Sequence, residues 1–243
     1  MKIVVGMHRS GTSLLMNLLQ RAGADLGDPQ GFYPCDRWNP DGYFEQQEIL
    51  SANRELLHGP LGRLAFFFPP GKHTIRQRGR RMQARLRETG WHYTGKLVKD
   101  PRFLFTSPAW EDTGTTFSHV LVALREPDEV AASLNRRNRL PRFLAMKMML
   151  EHYRRLLVFT SGRPTRWVRY DRLVAAGTSV AEFSAAAEFL GLPFRVEADS
   201  AWFKSIVRLR PHDHPKPVTN YPQAVTELWA ELCRRHQSQA SSQ

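Results

Sequence analysis

Residues 1–19 constrain the chain more than any other stretch. Ile3, Val4 and Val5 are consecutive, β-branched and apolar, the pattern of a strand buried on both faces. Gly6 and Gly11 bracket the loop that follows. From Thr12 the apolar residues Leu14, Leu15, Leu18 and Leu19 recur at helical spacing. Gly6-x-x-x-x-Gly11 followed by Thr12-Ser13 also has the length of a phosphate-binding loop. Such a loop holds an anion with backbone N–H groups at a helix N-terminus, where the helix dipole adds to the attraction. The lysine that reaches the outer phosphates of a triphosphate is missing; Thr12 stands in its place and Arg9 lies inside the loop. The pattern asks for a phosphate-bearing ligand whose reacting group is handled by arginine and hydroxyls. The bland alternative is a βα turn with glycines for tight packing.

Beyond this unit, strand and helix signals alternate. Gly23 suits the C-terminus of the first helix, and 24–44 is loop-like, ending in the turn dipeptides of Asn39-Pro-Asp-Gly-Tyr-Phe-Glu45. A helix is expected over Glu45–Leu57. The region 58–75 is irregular, and Arg76–Glu88 reads as an arginine-rich helix face. Strands are expected at Lys96–Arg102, Ser118–Arg125 and Arg166–Tyr170, with Asp171 capping a turn after the last. Helical patterns follow Pro127, span 141–160 and recur at Val180–Leu190 and Gln223–His236; Pro211–Pro217 is a loop. The expected fold is α/β: a phosphate-loop-type central parallel sheet flanked by helices, forming one domain over 1–236 with a disordered tail at 237–243. Ligands of such sheets lie outside the C-terminal strand ends. Gly6–Gly11, Lys99–Arg102, Arg125 and Tyr170-Asp171 all fall there, so four strand ends are expected to converge on one crevice.

The net charge of +12 favours an anionic ligand or surface. No apolar run approaches the length of a membrane span, and His8-Arg9 interrupts the short apolar start as no signal peptide would, so a cytoplasmic protein is expected. Cys35 and Cys233 match no metal spacing and are expected as free thiols.

Taken together, these segments resemble the sulfotransferases that use 3′-phosphoadenosine 5′-phosphosulfate (PAPS), in a bacterial form closer to the glycan and tyrosylprotein branch than to the branch acting on small phenols. His8-Arg-Ser-Gly-Thr-Ser13 resembles that family's 5′-phosphosulfate loop. Leu124-Arg-Glu-Pro-Asp-Glu-Val-Ala-Ala-Ser-Leu134 resembles its 3′-phosphate motif, with Arg125 ending a strand and Ser133 on the next helix. Lys99-Asp-Pro-Arg102, Trp167–Leu173 and Asn39–Glu45 are similar to further segments of the family. The resemblance implies a nucleotide site made of His8, Arg9, Ser10, Gly11, Thr12, Ser13, Arg125 and Ser133. It implies PAPS as donor, 3′,5′-ADP as product, no metal, and transfer to a hydroxyl on a carbohydrate or glycolipid. The physical reading agrees: PAPS carries two anionic centres, and the chain offers two anion sites. For Arg125 the plain alternative is an ion pair with Glu126 or Asp128.

Arg9, Lys99 and Ser13 are cations or donors able to stabilise charge on the leaving phosphate. The acceptor hydroxyl needs a base within hydrogen-bond reach. Glu45 is the first choice, Glu48 the second and His8 the third; the alternative for Glu45 is a first-turn helix carboxylate favoured by the dipole. His212 and His214 read as a solvated pair rather than metal ligands. The Arg76–Arg87 run is either a solvated face or a docking surface for an acidic acceptor or anionic membrane, and no nucleic-acid partner is expected. Arg208 or Arg210 is a candidate to close over the nucleotide. The rival functions are a small-molecule kinase with a phosphate loop and a non-catalytic nucleotide- or polyanion-binding protein. The oligomeric state is left open.

Overall fold

The β-branched run at the start forms β1 (Lys2–Gly6) at the centre of the sheet in a computed structural model that describes residues 1–192, 201–208 and 221–240. It is followed by α1 (Thr12–Arg21), α2 (Gln47–His58), α3 (Lys72–Arg81), α4 (Gln83–His92), β2 (Leu97–Lys99) and α5 (Phe103–Glu111). Next come β3 (His119–Leu124), α6 (Pro127–Asn138), α7 (Arg142–Thr160), β4 (Thr165–Arg169) and α8 (Tyr170–Val174). The described chain ends with α9 (Ser179–Phe189), α10 (Ala201–Arg208) and α11 (Gln223–Ala240). The strands form a 4-stranded parallel sheet in the order β2-β1-β3-β4.

Alternation along the strands divides the core between the two faces. Ile3, Val5, Val120, Val122 and Trp167 pack with α2, α5, α6, α7 and α11, while Val4, Leu121, Ala123 and Val168 pack with α1, α9 and α10. Leu14, Leu15, Leu18 and Leu19 of α1 are all fully buried there, each contributing about 2 kcal/mol of apolar burial. Gly23 ends α1 at φ 94°, and Ala24 N–H bonds back to the Leu19 carbonyl, as a left-handed helix stop requires.

Several elements depart from the sequence reading. The Arg76–Glu88 stretch is not one helix: the chain breaks at Met82 (φ −123°, ψ 26°) after Gly79 seats α3 against Ala109, where a Cβ would come within 2.6 Å of the Ala109 side chain. α5 carries no amphipathic signal that marks it in advance, because it is buried all round and has no polar face to give a period, whereas α10 is strongly amphipathic, with Phe203, Ile206 and Val207 on its buried side, and was passed over. The last helix passes His236 and runs to Ala240, which removes much of the expected tail. Its Gln239 side chain bonds both the N–H and the carbonyl of Trp167, covering the free edge of β4. Asp171 does not cap; its carboxylate grips the Arg169 guanidinium through Nε (2.9 Å) and Nη2 (2.8 Å). Pro211–Pro217, with His212 and His214, and Arg210 lie outside the described residues, as does the Arg208 side chain.

Candidate functional site

The loop between β1 and α1 bends over the C-terminal edge of the sheet. Gly6 takes φ 151° and Gly11 φ 93°, and Arg9, unusually for a residue with a side chain, takes φ 71°. Both glycines are also required for space. A Cβ on Gly6 would meet the Ala123 carbonyl oxygen at 2.5 Å, and one on Gly11 would meet the Tyr170 ring at 2.4 Å.

All four strand ends meet at this loop. His8, Arg9, Gly11, Thr12, Ser13, Asn39, Tyr43, Glu45, Lys99, Arg125, Arg137 and Tyr170 line one cleft of about 90 Å3, a space for an anionic group rather than a whole nucleotide. Ser10 lies beneath the loop, buried. Ser133 joins from α6, where its Oγ accepts a hydrogen bond from Arg9 Nε (2.9 Å). Arg125 donates from Nη1 to the Arg9 carbonyl (3.3 Å) and from Nε to Glu129 (2.7 Å), and its guanidinium lies 4.2 Å from the centre of the Tyr170 ring. Its ion pair is therefore with Glu129 in the first turn of α6, not with Glu126 or Asp128. Arg9, read as a grip on the 5′ end, reaches across to the Arg125–Ser133 motif and joins the two anion sites.

The other side of the cleft is a buried ionic network. Lys99 Nζ donates to Ser13 Oγ (3.2 Å) and the Tyr43 carbonyl (2.8 Å), and it pairs with Glu45 at 2.8 Å. Glu45 also faces Arg102 at 3.9 Å, and Arg102 pairs with Asp100 at 2.8 Å. Asn53 of α2 donates to Asp100 (2.9 Å) while its oxygen accepts from Thr106 (2.7 Å) and Trp110 (2.8 Å), which anchors the network in the apolar helix α5. Glu45 is not a first-turn helix residue. The left-handed turn at Phe44 (φ 56°) directs it inward ahead of α2. Burial pushes its carboxyl up, but the charges of Lys99 and Arg102 outweigh this and hold it below the usual carboxylate range. Glu48 lies instead beside Tyr93, whose phenol burial and Glu48 together push up.

His8 is enclosed by Phe66 (ring centroids 5.1 Å apart) and His152 (5.6 Å). Burial, with Arg102 nearby, lowers it well below the ordinary imidazole value, and burial lowers His152 to about 4, so both are neutral at pH 7. Tyr43, Asn53, Arg102 and Arg137 are site components that the motif reading passed over. Arg102 and Tyr43 lie within the Lys99–Arg102 and Asn39–Glu45 segments without being singled out by them, whereas Asn53 is brought in only by the packing of α2. Among the described residues no group of three or more His, Cys, Asp or Glu could hold a metal ion. Both cysteines are free thiols. Among the described residues no helix is long and apolar enough to cross a membrane.

A parallel sheet flanked by helices with a glycine-bounded loop at its C-terminal edge is shared by several nucleotide-binding proteins, and the arrangement along this chain matches the sulfotransferase fold. The chain is similar along 96% of its length to a solved structure, the sulfotransferase domain from the curacin biosynthetic pathway, covering 97% of that chain with a TM-score of 0.51 and 14% identity. The likeness reaches the fold and does not select the glycan and tyrosylprotein branch. No family model matches the chain, and no curated protein matches it.

Proposed function

We propose that the chain is a PAPS-dependent sulfotransferase that acts on an acceptor hydroxyl. One observation carries the reading. Arg9 of the loop bonds Ser133 and, through its carbonyl, Arg125, so the two segments that resemble the 5′ and 3′ motifs interlock at the mouth of one cleft. The residues fit the donor: the amides of Gly11, Thr12 and Ser13 with Arg9 would hold its phosphosulfate, and Arg125 with Ser133 its 3′-phosphate. The donor supplies an activated sulfuryl group. Glu45, ionised at neutral pH, takes the proton of the acceptor hydroxyl as the new O–S bond forms. Lys99 and Ser13 stabilise the charge left on the phosphate oxygen when the old S–O bond breaks. The acceptor class, a carbohydrate or glycolipid, rests on the resemblance of Lys99-Asp-Pro-Arg102 to the glycan and tyrosylprotein branch and on the basic, aromatic character of residues 58–92.

Thermal unfolding with added nucleotide tests the donor. We expect 3′,5′-ADP to raise Tm with or without Mg2+, and ATP to leave it unchanged. A rise with ATP that requires Mg2+ identifies a kinase-type site instead.

A further inference from the structure

A second basic site lies beside the reaction cleft. Arg37 and Trp38, from the loop before α2, and Arg136, Arg137 and Arg139, from the end of α6, line a space of about 390 Å3. The α6 dipole explains cations at its last turn, where Arg136 and Arg137 sit. It does not explain why a distant loop brings Arg37 to the same place, since guanidinium groups gathered around one space repel. Among the described residues only Arg137 of this set pairs with a carboxylate, Asp36 at 3.5 Å. Arg139 is held at φ 53°, a conformation uncommon for an arginine.

Asp36 ties the loop together through hydrogen bonds. Asp36 Oδ1 accepts from the backbone N–H of Trp38 (2.8 Å) and Asn39 (3.0 Å), and Asp36 Oδ2 accepts from the Tyr43 hydroxyl (2.8 Å). Trp38 is 38% exposed, with the Arg37 guanidinium 5.2 Å from its ring centre. The same segment reaches the phosphate loop, because Asn39 donates to Ser13 Oγ (3.2 Å) and Arg137 lines both clefts.

We infer that the Arg37–Trp38–Arg136–Arg139 cleft binds a carboxylate, sulfate or phosphate group carried by the acceptor, whose ring lies on the Trp38 indole. Planar guanidinium forks match such oxyanions, and a neutral acceptor would have no use for them. The oxyanion site stands on the cleft itself. Only its assignment to an acceptor rests on the sulfotransferase reading.

Isothermal titration with 4-nitrophenyl β-D-glucuronide and 4-nitrophenyl β-D-glucoside, which differ in one carboxylate, tests this. The wild type should bind the glucuronide about tenfold more tightly than the glucoside, the worth of one charge-assisted contact. In the Arg136→Ala/Arg139→Ala double variant, whose altered side chains are exposed, the advantage should disappear while 3′,5′-ADP binds as before. Equal or unmeasurable binding of both glycosides by the wild type overturns the inference, and so does an advantage that survives in the variant. Loss of 3′,5′-ADP binding in the variant overturns it too, by assigning the arginines to the donor. A wild type that prefers the glucuronide but ignores 3′,5′-ADP removes the sulfotransferase reading and leaves the oxyanion site standing.

Discussion

The two sides of the cleft carry their charge in opposite ways. On the donor side, Arg9 and Arg125 are permanent cations at the rim; the Arg125 side chain is 15% exposed, and among the described residues its Nη2 makes no hydrogen bond. On the other side, Lys99 is 3% exposed, and its charge is one of a buried set in which Glu45 and Asp100 balance Lys99 and Arg102. A rim of guanidinium groups attracts anions from solution. A neutralised interior network does not. What it provides is an ammonium and a carboxylate held in fixed positions in a low dielectric, where each is worth most to a reaction and where removing one strands the other.

Asp100→Ala breaks this contrast hardest. It leaves Arg102 buried without its closest carboxylate and Asn53 without its acceptor, and the expected loss is about 3–5 kcal/mol of stability. Urea denaturation measures it, and a loss near zero would show that the network is not holding the buried charge. Lys99→Ala comes next. The expected fall in kcat is about a hundredfold to a thousandfold, with 3′,5′-ADP affinity nearly unchanged. Steady-state kinetics beside direct titration separates the two quantities, and an unchanged kcat removes Lys99 from the chemistry.

The same contrast makes the interior acid-sensitive and leaves the rim indifferent. His152 is neutral when folded and titrates near 4, against 6.5 when unfolded. The unfolded chain therefore binds the extra proton first, and stability falls as pH drops from 6.5 towards 4, by roughly 3 kcal/mol from this group. His8 adds to the loss in the same direction. Glu45, lowered when folded, adds its own loss only below the ordinary carboxylate value, while Asp100, raised by burial, works in the opposite direction and offsets part of the loss. Urea midpoints from pH 8 to pH 4 measure the sum; a flat series would mean that the histidines are accessible. On the donor side the counterpart is Arg125→Ala, with an expected rise in donor KM of about tenfold to fiftyfold and a smaller change in kcat.

The two sides were also unequally legible in the sequence. The donor side is local: Gly6, Gly11 and the Arg125–Ser133 spacing each lie within a short segment, and strand and helix periods place them at the sheet edge. The other side is assembled from α2, β2 and α5, and α5 is buried all round, so no period announces it. Glu45 and Lys99 were legible as residues because their segments resemble a family. Their partnership was not, because it depends on a left-handed turn at Phe44 that no glycine marks.

The arginines of α3 and α4 offer the smallest effect and a check on the rim. Their run looked like one continuous basic face, but it is partly consumed by structure. Arg76 pairs with Asp112 (3.2 Å), Arg85 pairs with Glu55 (3.0 Å), and Arg78 donates to the Leu56 and Leu57 carbonyls (2.7 and 3.0 Å) at the end of α2. Arg80, Arg81 and Arg87 are exposed and keep charge to offer. Replacing these three by alanine should change stability by less than about 0.5 kcal/mol and leave 3′,5′-ADP affinity intact. If their charge is a docking face, binding to vesicles containing anionic lipid falls in the triple variant. If the charge is only solvated, vesicle binding is the same in both proteins. Loss of nucleotide affinity would instead mean that attraction of the donor is a property of the whole basic surface and not of the rim.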